Sequence, residues 1–184
     1  MRTFVAIELP GDLKEKIGLF EKEIEKFVPL RFVAPKNLHL TLFFLGEIEE
    51  TKLSEVVEAV KAGTREINKV CCSAIKPFFL FLGKPEFFPH GLWLEVEGQV
   101  EVLEKLYQQI SKELKTRNFK LETRPFSAHI TIGRAKGRIK RVKSITGIRS
   151  ITGKFKVDSV AVFTSELTPE GPVYQRQAEI DLMI

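Results

Sequence analysis

The chain has 184 residues, of which 43% are hydrophobic and 29% charged, and its net charge is +5. This composition excludes a disordered chain, and no apolar run is long enough to span a bilayer. Cys71 and Cys72 are adjacent, so they are unsuited to a structural disulfide. Met1-Arg2 leads directly into a strand-like segment and leaves no room for a signal peptide. We therefore predict one soluble domain over residues 1–184, a monomer in a reducing cytoplasm.

Strands and helices alternate in the first half of the chain. Segments rich in β-branched and aromatic residues, bounded by proline or glycine, predict strands. Segments with apolar residues at three- and four-residue spacing predict helices. The predicted elements are a strand over Thr3–Leu9, a helix over Asp12–Val28, a short extended segment over Arg31–Val33, a strand over Leu38–Leu45 and a helix over Glu49–Thr64.

The second half contains mostly strands that follow one another directly. Two prolines between Gly83 and Gly91 predict a hairpin with a long tip. Because consecutive strands often pair directly, the order favours an α+β fold with mostly antiparallel sheet over a doubly wound parallel sheet. The predicted elements are strands over Val70–Ile75, Phe78–Leu82, Leu92–Val96, Phe126–Arg134, Lys154–Thr164 and Val173–Met183, a helix over Gln99–Thr116 and a basic connection over Ala135–Thr152.

Two short segments, one in each half, share a His-apolar-Thr-apolar pattern. Because side chains alternate along a strand, His39 and Thr41 lie on one face, and His129 and Thr131 lie on one face of the other strand. The aliphatic residues between them then face the core. Two of the three histidines of the chain lie in these segments. We interpret the two strands as opposite walls of one cleft.

Two imidazoles can divide acid and base chemistry between them, because an ordinary imidazole titrates near pH ~6.5. Hydrolysis of a phosphodiester without a metal needs a base that activates water and an acid that protonates the departing oxygen. The Thr41 and Thr131 hydroxyls can donate hydrogen bonds to the phosphate. Arg134 is the nearest guanidinium. Strict alternation places Arg134 on the core face, and a bulge at Gly133 would return it to the cleft.

Other kinds of site have little support in the sequence. Two histidines without a third histidine or a suitably spaced carboxylate are too few for a catalytic zinc site. There is no Gly-x-Ser-x-Gly nucleophile motif and no glycine-rich phosphate loop. We therefore expect no metal and no cofactor. His90 lies between Pro89 and Gly91, and we interpret it as an exposed residue outside the site.

The residues of both motifs resemble the 2H phosphoesterase family, and within it the branch of 2′-5′ RNA ligases and RNA 2′,3′-cyclic phosphodiesterases. The resemblance extends along the whole chain, through the runs MRTFVAIELP, RFVAPKNLHLTLFFLGE, GLWLEV, HITIGRAK and SELTPEGPVY. It implies a bilobal fold with pseudo-two-fold symmetry. Two mostly antiparallel sheets would face each other across a cleft, with helices outside, and each lobe would contribute one motif strand.

The resemblance also implies an activity and a set of site residues. The activity is hydrolysis of an RNA 2′,3′-cyclic phosphate to a 2′-phosphate and the reversible, ATP-independent joining of RNA ends, such as tRNA halves, by a 2′-5′ linkage. A cyclic phosphodiesterase for small nucleotides and a non-catalytic RNA-binding module are alternatives. Family usage implies His39 as the general acid and His129 as the base, with Thr41, Thr131 and Arg134 on the phosphate.

One position departs from the family pattern. Related chains often have a basic residue directly after the first motif, where this chain has Phe43. Alternation places Phe43 on the same face as His39 and Thr41, so we predict that its ring stacks on a nucleobase. The basic segment Lys136–Lys143 is either a solvated surface or a patch that steers RNA toward the cleft.

Overall fold

The computed structural model describes residues 1–70, 77–139, 151–169 and 171–182, and of residues 68–70 only the backbone. Within these ranges it contains three α-helices, two short 3-10 turns and nine strands. The helices are α1 (Gly11–Ile24), α2 (Leu53–Val70) and α3 (Val100–Thr116), and the turns are Pro35–Asn37 and Glu50–Lys52. The strands are β1 (Arg2–Glu8), β2 (Arg31–Phe32), β3 (His39–Glu47), β4 (Phe78–Phe88), β5 (Gly91–Gly98), β6 (His129–Arg134), β7 (Lys154–Val157), β8 (Ser159–Thr168) and β9 (Gly171–Asp181).

The strands form two sheets, and all the strand pairs among the described residues are antiparallel. The first sheet has the order β3-β1-β8-β9, and the second sheet has the order β2-β6-β5-β4-β7. The predicted α+β class with two antiparallel sheets is confirmed. The motif strand β3 belongs to the first sheet and the motif strand β6 to the second, and these two strands lie beside each other.

One continuous apolar core joins the helices to both sheets. Alternation along the motif strands directs Leu40 and Ile130 into it, where both are fully buried. Helix α3 contributes an apolar face at three- and four-residue spacing, as predicted. Helices α2 and α3 approach so closely that a Cβ on Gly63 would lie 2.7 Å from the backbone of Ile110. The helices therefore cover the core face of the sheets and leave the opposite face to the histidines.

The first sheet also buries side chains on the face that carries His39. A small second cluster there consists of Phe4, Ala6, Ala161 and Phe163, with Tyr174 packed against it. All residues of β1 from Thr3 to Ile7 are therefore buried, because both faces of this central strand are covered. The strand forms a rigid support next to β3.

Several predicted boundaries are wrong, because contacts in the folded chain, and not local sequence alone, determine where each element ends. Helix α1 ends at Ile24 rather than Val28, and Phe27 is 65% exposed. The predicted loop between Gly83 and Gly91 is mostly strand, and the pairing of β4 with β5 has a bulge between Leu82 and Pro85. The hairpin therefore has a tight tip at Pro89-His90.

The predicted strand Lys154–Thr164 is two strands, β7 and β8, which join different sheets on either side of Asp158. Helix α2 continues past Thr64 to Val70, so the predicted strand Val70–Ile75 is wrong at its first residue, and the rest of it lies outside the described residues. Cys71, Cys72 and most of the basic connection also lie outside them. None of the described helices has the length and apolar character needed to cross a membrane.

Candidate active site

The two motif strands share a one-residue bulge directly after the threonine. In β3, Thr41 pairs with Ala6 and Phe43 pairs with Val5, which leaves Leu42 without a partner. In β6, Thr131 pairs with Trp93 and Gly133 pairs with Leu92, which leaves Ile132 without a partner. A bulge of this kind shifts the alternation of side chains by one position. Each strand therefore presents to the cleft its histidine, its threonine and the fifth residue after the histidine.

In the second sheet, that fifth residue is Arg134. It is exposed and lines one pocket together with Thr41, His129 and Thr131. The prediction that a bulge returns Arg134 to the cleft is confirmed, although the unpaired residue is Ile132 rather than Gly133.

In the first sheet, the fifth residue is Phe44, and the prediction that Phe43 shares the face of His39 and Thr41 is wrong. The Phe43 side chain is only 3% exposed, and its ring stacks on Tyr107 with the centroids 4.4 Å apart. Both phenylalanines border the pocket, but only the Phe44 side chain, which is 51% exposed, presents an accessible ring. The prediction failed because it continued strict alternation through the bulge at Leu42.

Each imidazole is held by a hydrogen bond of the same kind, to the backbone carbonyl two residues earlier. The Nδ1 of His39 lies 2.7 Å from the carbonyl oxygen of Asn37, and the Nδ1 of His129 lies 2.8 Å from that of Ser127. A carbonyl oxygen can only accept, so Nδ1 carries the proton in each ring. In the neutral form, Nε2 is then the unprotonated nitrogen. Each histidine can therefore take or give a proton at Nε2 without losing its anchor.

Aromatic rings from other strands border both histidines. The His39 ring lies 4.9 Å from Phe4 and meets Tyr174 edge-on at 5.5 Å. The His129 ring lies 4.7 Å from Trp93. The sequence analysis missed these three aromatic residues because their contacts depend on cross-strand register. Alternation within β1, β5 and β9 gives the face of each ring, and only the pairing of the strands identifies the histidine that it meets.

Two cavities border the histidines. The threonine pocket, of about 400 Å³, is lined by Thr41, His129, Thr131 and Arg134, and by the aromatic side chains of Phe44 and Trp93 among others. The His39 pocket, of about 320 Å³, contains His39 with Phe4, Tyr174 and several charged side chains. The two pockets are neighbours, because Thr41 follows His39 on the same face of β3 and the charge of Arg134 acts on His39.

Burial lowers the pKa of His39 below its ordinary value, and this is the largest influence on the ring. The positive charges of Lys14 and Arg134 also lower the pKa, whereas the hydrogen bond to Asn37 and the carboxylate of Glu8 act in the opposite direction. The net effect favours the neutral imidazole in the free protein. His39 is therefore poised to accept a proton at Nε2.

The remaining sequence candidates lie outside the two pockets. His90 is exposed at the tip of the β4–β5 hairpin, as predicted, and its carbonyl oxygen accepts a hydrogen bond from the backbone N–H of Ala135. Lys136 and Arg138 are exposed, and the later residues of the basic segment lie outside the described residues. Across the described ranges, no three His, Cys, Asp or Glu side chains converge to hold a metal ion.

Comparison with known proteins identifies the family of this chain and several relatives. A family model described as the 2′-5′ RNA ligase superfamily matches residues 21–169. The RNA 2′,3′-cyclic phosphodiesterase of Thermotoga maritima is 36% identical, over 95% of this chain and 92% of the relative. The enzyme of the same name from Archaeoglobus fulgidus is 31% identical, over 95% of this chain and 97% of the relative.

Solved structures show the same architecture. The crystal structure of TT0787 of Thermus thermophilus superimposes with a TM-score of 0.75 and 27% identity, covering 99% of this chain and 98% of that one. E. coli LigT in its apo form has a TM-score of 0.71 over 98% of this chain and 96% of its own. At 22% identity, the likeness to LigT concerns the fold.

The bulge after Thr41 predicts that replacing two adjacent phenylalanines has very different effects on the free energy of unfolding. Phe43→Ala removes a buried, stacked ring and should lower the free energy of unfolding by about 3–5 kcal/mol. Phe44→Ala removes a half-exposed ring and should change it by about 1 kcal/mol or less. Urea denaturation of both variants measures the difference. Equal losses would contradict the assigned faces.

Proposed function

Because the chain belongs to the 2′-5′ RNA ligase superfamily, we propose that it is an RNA 2′,3′-cyclic phosphodiesterase that converts a 2′,3′-cyclic phosphate terminus to a 2′-phosphate. One observation carries the proposal. His39 and His129 lie on neighbouring strands of two sheets, and each is anchored through Nδ1 with Nε2 left for chemistry. A protein that only binds RNA has no need for two imidazoles held in this way.

The reaction needs one proton transfer at each imidazole. One Nε2 takes a proton from water as the water oxygen attacks phosphorus, and the bond from phosphorus to the 3′-oxygen breaks. The other Nε2 gives a proton to the departing 3′-oxygen, so the phosphate stays on the 2′-oxygen. The hydroxyls of Thr41 and Thr131 and the guanidinium of Arg134 donate hydrogen bonds to the non-bridging oxygens, where negative charge accumulates.

The aromatic side of the threonine pocket suits the terminal nucleobase. Phe44 and Trp93 line it, and the Trp93 ring stacks on Phe88 with the centroids 4.7 Å apart. Stacking on aromatic rings tolerates any base, as expected for an enzyme that acts on RNA ends. Phe44 thus takes the stacking role that the sequence analysis assigned to Phe43. We propose RNA 3′ ends, including those of tRNA fragments, as the substrates of this single two-lobed domain.

The division of roles between the histidines is open to a sharp test. Family usage gives His39 as the acid, but the lowered pKa of His39 favours its neutral form and hence the role of base. A bound cyclic phosphate carries a negative charge that would raise the pKa again. The free protein therefore favours His39 as the base, whereas the substrate-bound protein favours His39 as the acid. A profile of activity against pH can distinguish the two assignments.

The ligase reaction would use the same site in the same direction: the 5′-hydroxyl of a second RNA replaces water as the nucleophile, loses its proton to the base, and opens the cyclic phosphate to a 2′-5′ linkage as the 3′-oxygen departs. The observation that favours it is the His39 pocket, a second cavity that His39 lines and that is separate from the threonine pocket. A second strand could approach through this space.

The central prediction concerns turnover in EDTA. The wild-type protein should convert an oligonucleotide 2′,3′-cyclic phosphate to the 2′-phosphate, identified by chromatography against authentic 2′- and 3′-phosphates. His39→Ala and His129→Ala should each lose about 10²–10⁴-fold in kcat, because each removes one proton-transfer group. His90→Ala is the matched control and should retain full activity. Absence of conversion by the wild-type protein would refute the proposed function.

Lys14→Gln should identify the role of His39. Removing this positive charge raises the pKa of His39, because Lys14 lowers it in the wild-type protein. If His39 is the base, the acidic limb of the profile of kcat/KM against pH moves to higher pH; if His39 is the acid, the basic limb moves to higher pH. Lys16→Gln, an exposed change on the same helix, should move neither limb. A profile with both limbs unmoved in Lys14→Gln would contradict the electrostatic account of His39.

A further inference from the structure

The His39 pocket carries a charge that the proposed reaction does not use. Three cationic side chains line it, those of Lys14, Lys36 and Arg176, against the single carboxylate of Glu8. The threonine pocket has a different character, because the cations Arg124 and Arg134 there accompany Glu122 and several aromatic rings. The larger positive excess is thus in the pocket that contains His39.

Glu8 forms ion pairs with two of these three cations, and one carboxylate cannot neutralise all three charges. Its carboxylate lies 2.9 Å from the guanidinium of Arg176 and 3.5 Å from the ammonium of Lys14. Glu8 pairs with His39 across the β1–β3 ladder, so this group is held directly beside the imidazole. Arg176 also lies 2.9 Å from the carboxylate of Glu179, through the same guanidinium nitrogen, and its five N–H donors are more than these two contacts engage. The pair therefore leaves donors available at the pocket.

Lys36 is the third cation, and it is positioned by a well-anchored turn. It precedes Asn37, whose side-chain amide donates a hydrogen bond to the carbonyl oxygen of Pro172 at 2.9 Å. The Asn37 carbonyl oxygen accepts the hydrogen bond from His39. Lys36 itself is exposed and has no ion pair within the described part of the chain. An anion in the pocket would give this ammonium a partner.

The inner surface of the pocket is apolar and rigid. The rings of Phe4 and Phe163 stack with their centroids 5.1 Å apart, and Tyr174 meets Phe4 edge-on at 4.9 Å. An apolar surface with cations around it suits a group that combines a sugar or base with a phosphate. A lone inorganic anion would leave the apolar part unused.

We propose that the His39 pocket is a second phosphate subsite, which binds a phosphodiester of RNA through Lys36 and Arg176 while a cyclic phosphate reacts in the neighbouring threonine pocket. The inference rests on the proposed function, since it assigns the reacting phosphate to the threonine pocket. It makes the enzyme selective for RNA chains over mononucleotides.

The test compares three substrates that all end in a 2′,3′-cyclic phosphate: adenosine 2′,3′-cyclic phosphate, its 5′-phosphorylated form and a dinucleotide. The wild-type protein should prefer the dinucleotide to the unphosphorylated mononucleotide by about tenfold or more in kcat/KM, as expected for charge-assisted hydrogen bonds. Lys36→Gln and Arg176→Gln should reduce this ratio by about tenfold. The preference of the wild-type protein should also weaken as salt concentration rises.

Two controls separate a specific contact from general charge. Arg176→Lys keeps a positive charge and should retain most of the ratio. Lys105→Gln removes an exposed charge on helix α3, away from both pockets, and should leave the ratio unchanged. If Lys105→Gln lowers the preference for the dinucleotide as much as Lys36→Gln does, the proposed subsite is refuted.

The phosphate can come from the same strand or from an acceptor strand, and ligation kinetics distinguish the two. If the upstream linkage of the same strand occupies the pocket, the 5′-phosphorylated mononucleotide recovers part of the preference. If an acceptor strand occupies it, Lys36→Gln instead raises KM for a 5′-hydroxyl oligonucleotide in the joining reaction. If the wild-type protein hydrolyses the substrates but Lys36→Gln affects neither hydrolysis nor joining, the subsite is refuted and the proposed function stands. Failure of the wild-type protein to hydrolyse any of the three substrates would instead refute the proposed function.

Discussion

Each imidazole of the candidate site is held by one hydrogen bond, from Nδ1 to the carbonyl oxygen two residues earlier in the chain. Such a bond adds only about 0.5–1.5 kcal/mol to stability, so its importance lies in the tautomer that it selects. With the proton fixed on Nδ1, both histidines present the same nitrogen, Nε2, for chemistry. The rest of the site can be understood as the means of bringing these two nitrogens to one phosphate.

The bulge after each threonine completes the arrangement. It turns the fifth residue after the histidine toward the cleft, and the two sheets use this position differently. The second sheet places the cation Arg134 there, and the first sheet places the aromatic ring of Phe44. The same bulge in both strands thus turns a guanidinium and an aromatic ring toward the cleft, and in the proposed function these groups bind the phosphate and the base. The asymmetry between the sheets is consistent with an asymmetric substrate, whose phosphate is attached to a nucleoside on one side only.

Much of the site could be predicted because it is local. The faces of His39, Thr41, His129 and Thr131 follow from alternation within single strands, and so does the burial of the aliphatic residues between them. The position of Phe43 could not be predicted in this way. A bulge is defined by the partner strand, and the sequence of β3 alone contains no sign that Leu42 lacks a partner. Arg134 was easier because Gly133 suggested a bulge nearby.

The contacts of Phe4, Trp93 and Tyr174 depend on pairings between distant segments, which no local pattern specifies. The same limit explains the break at Asp158. A continuous run of strand-forming residues there is shared between two sheets, and the division is set by where β7 and β8 find their partners.

The most direct test of the account is ¹⁵N NMR of the imidazole nitrogens while adenosine 2′-phosphate, the expected product class, is titrated in. In the free protein, Nδ1 should be protonated in both His39 and His129. One equivalent of ligand should shift both Nε2 signals together, while His90 should not respond. A response from only one of the two histidines, or a proton on Nε2 of either neutral ring, would contradict the claim that two matched imidazoles act on one phosphate.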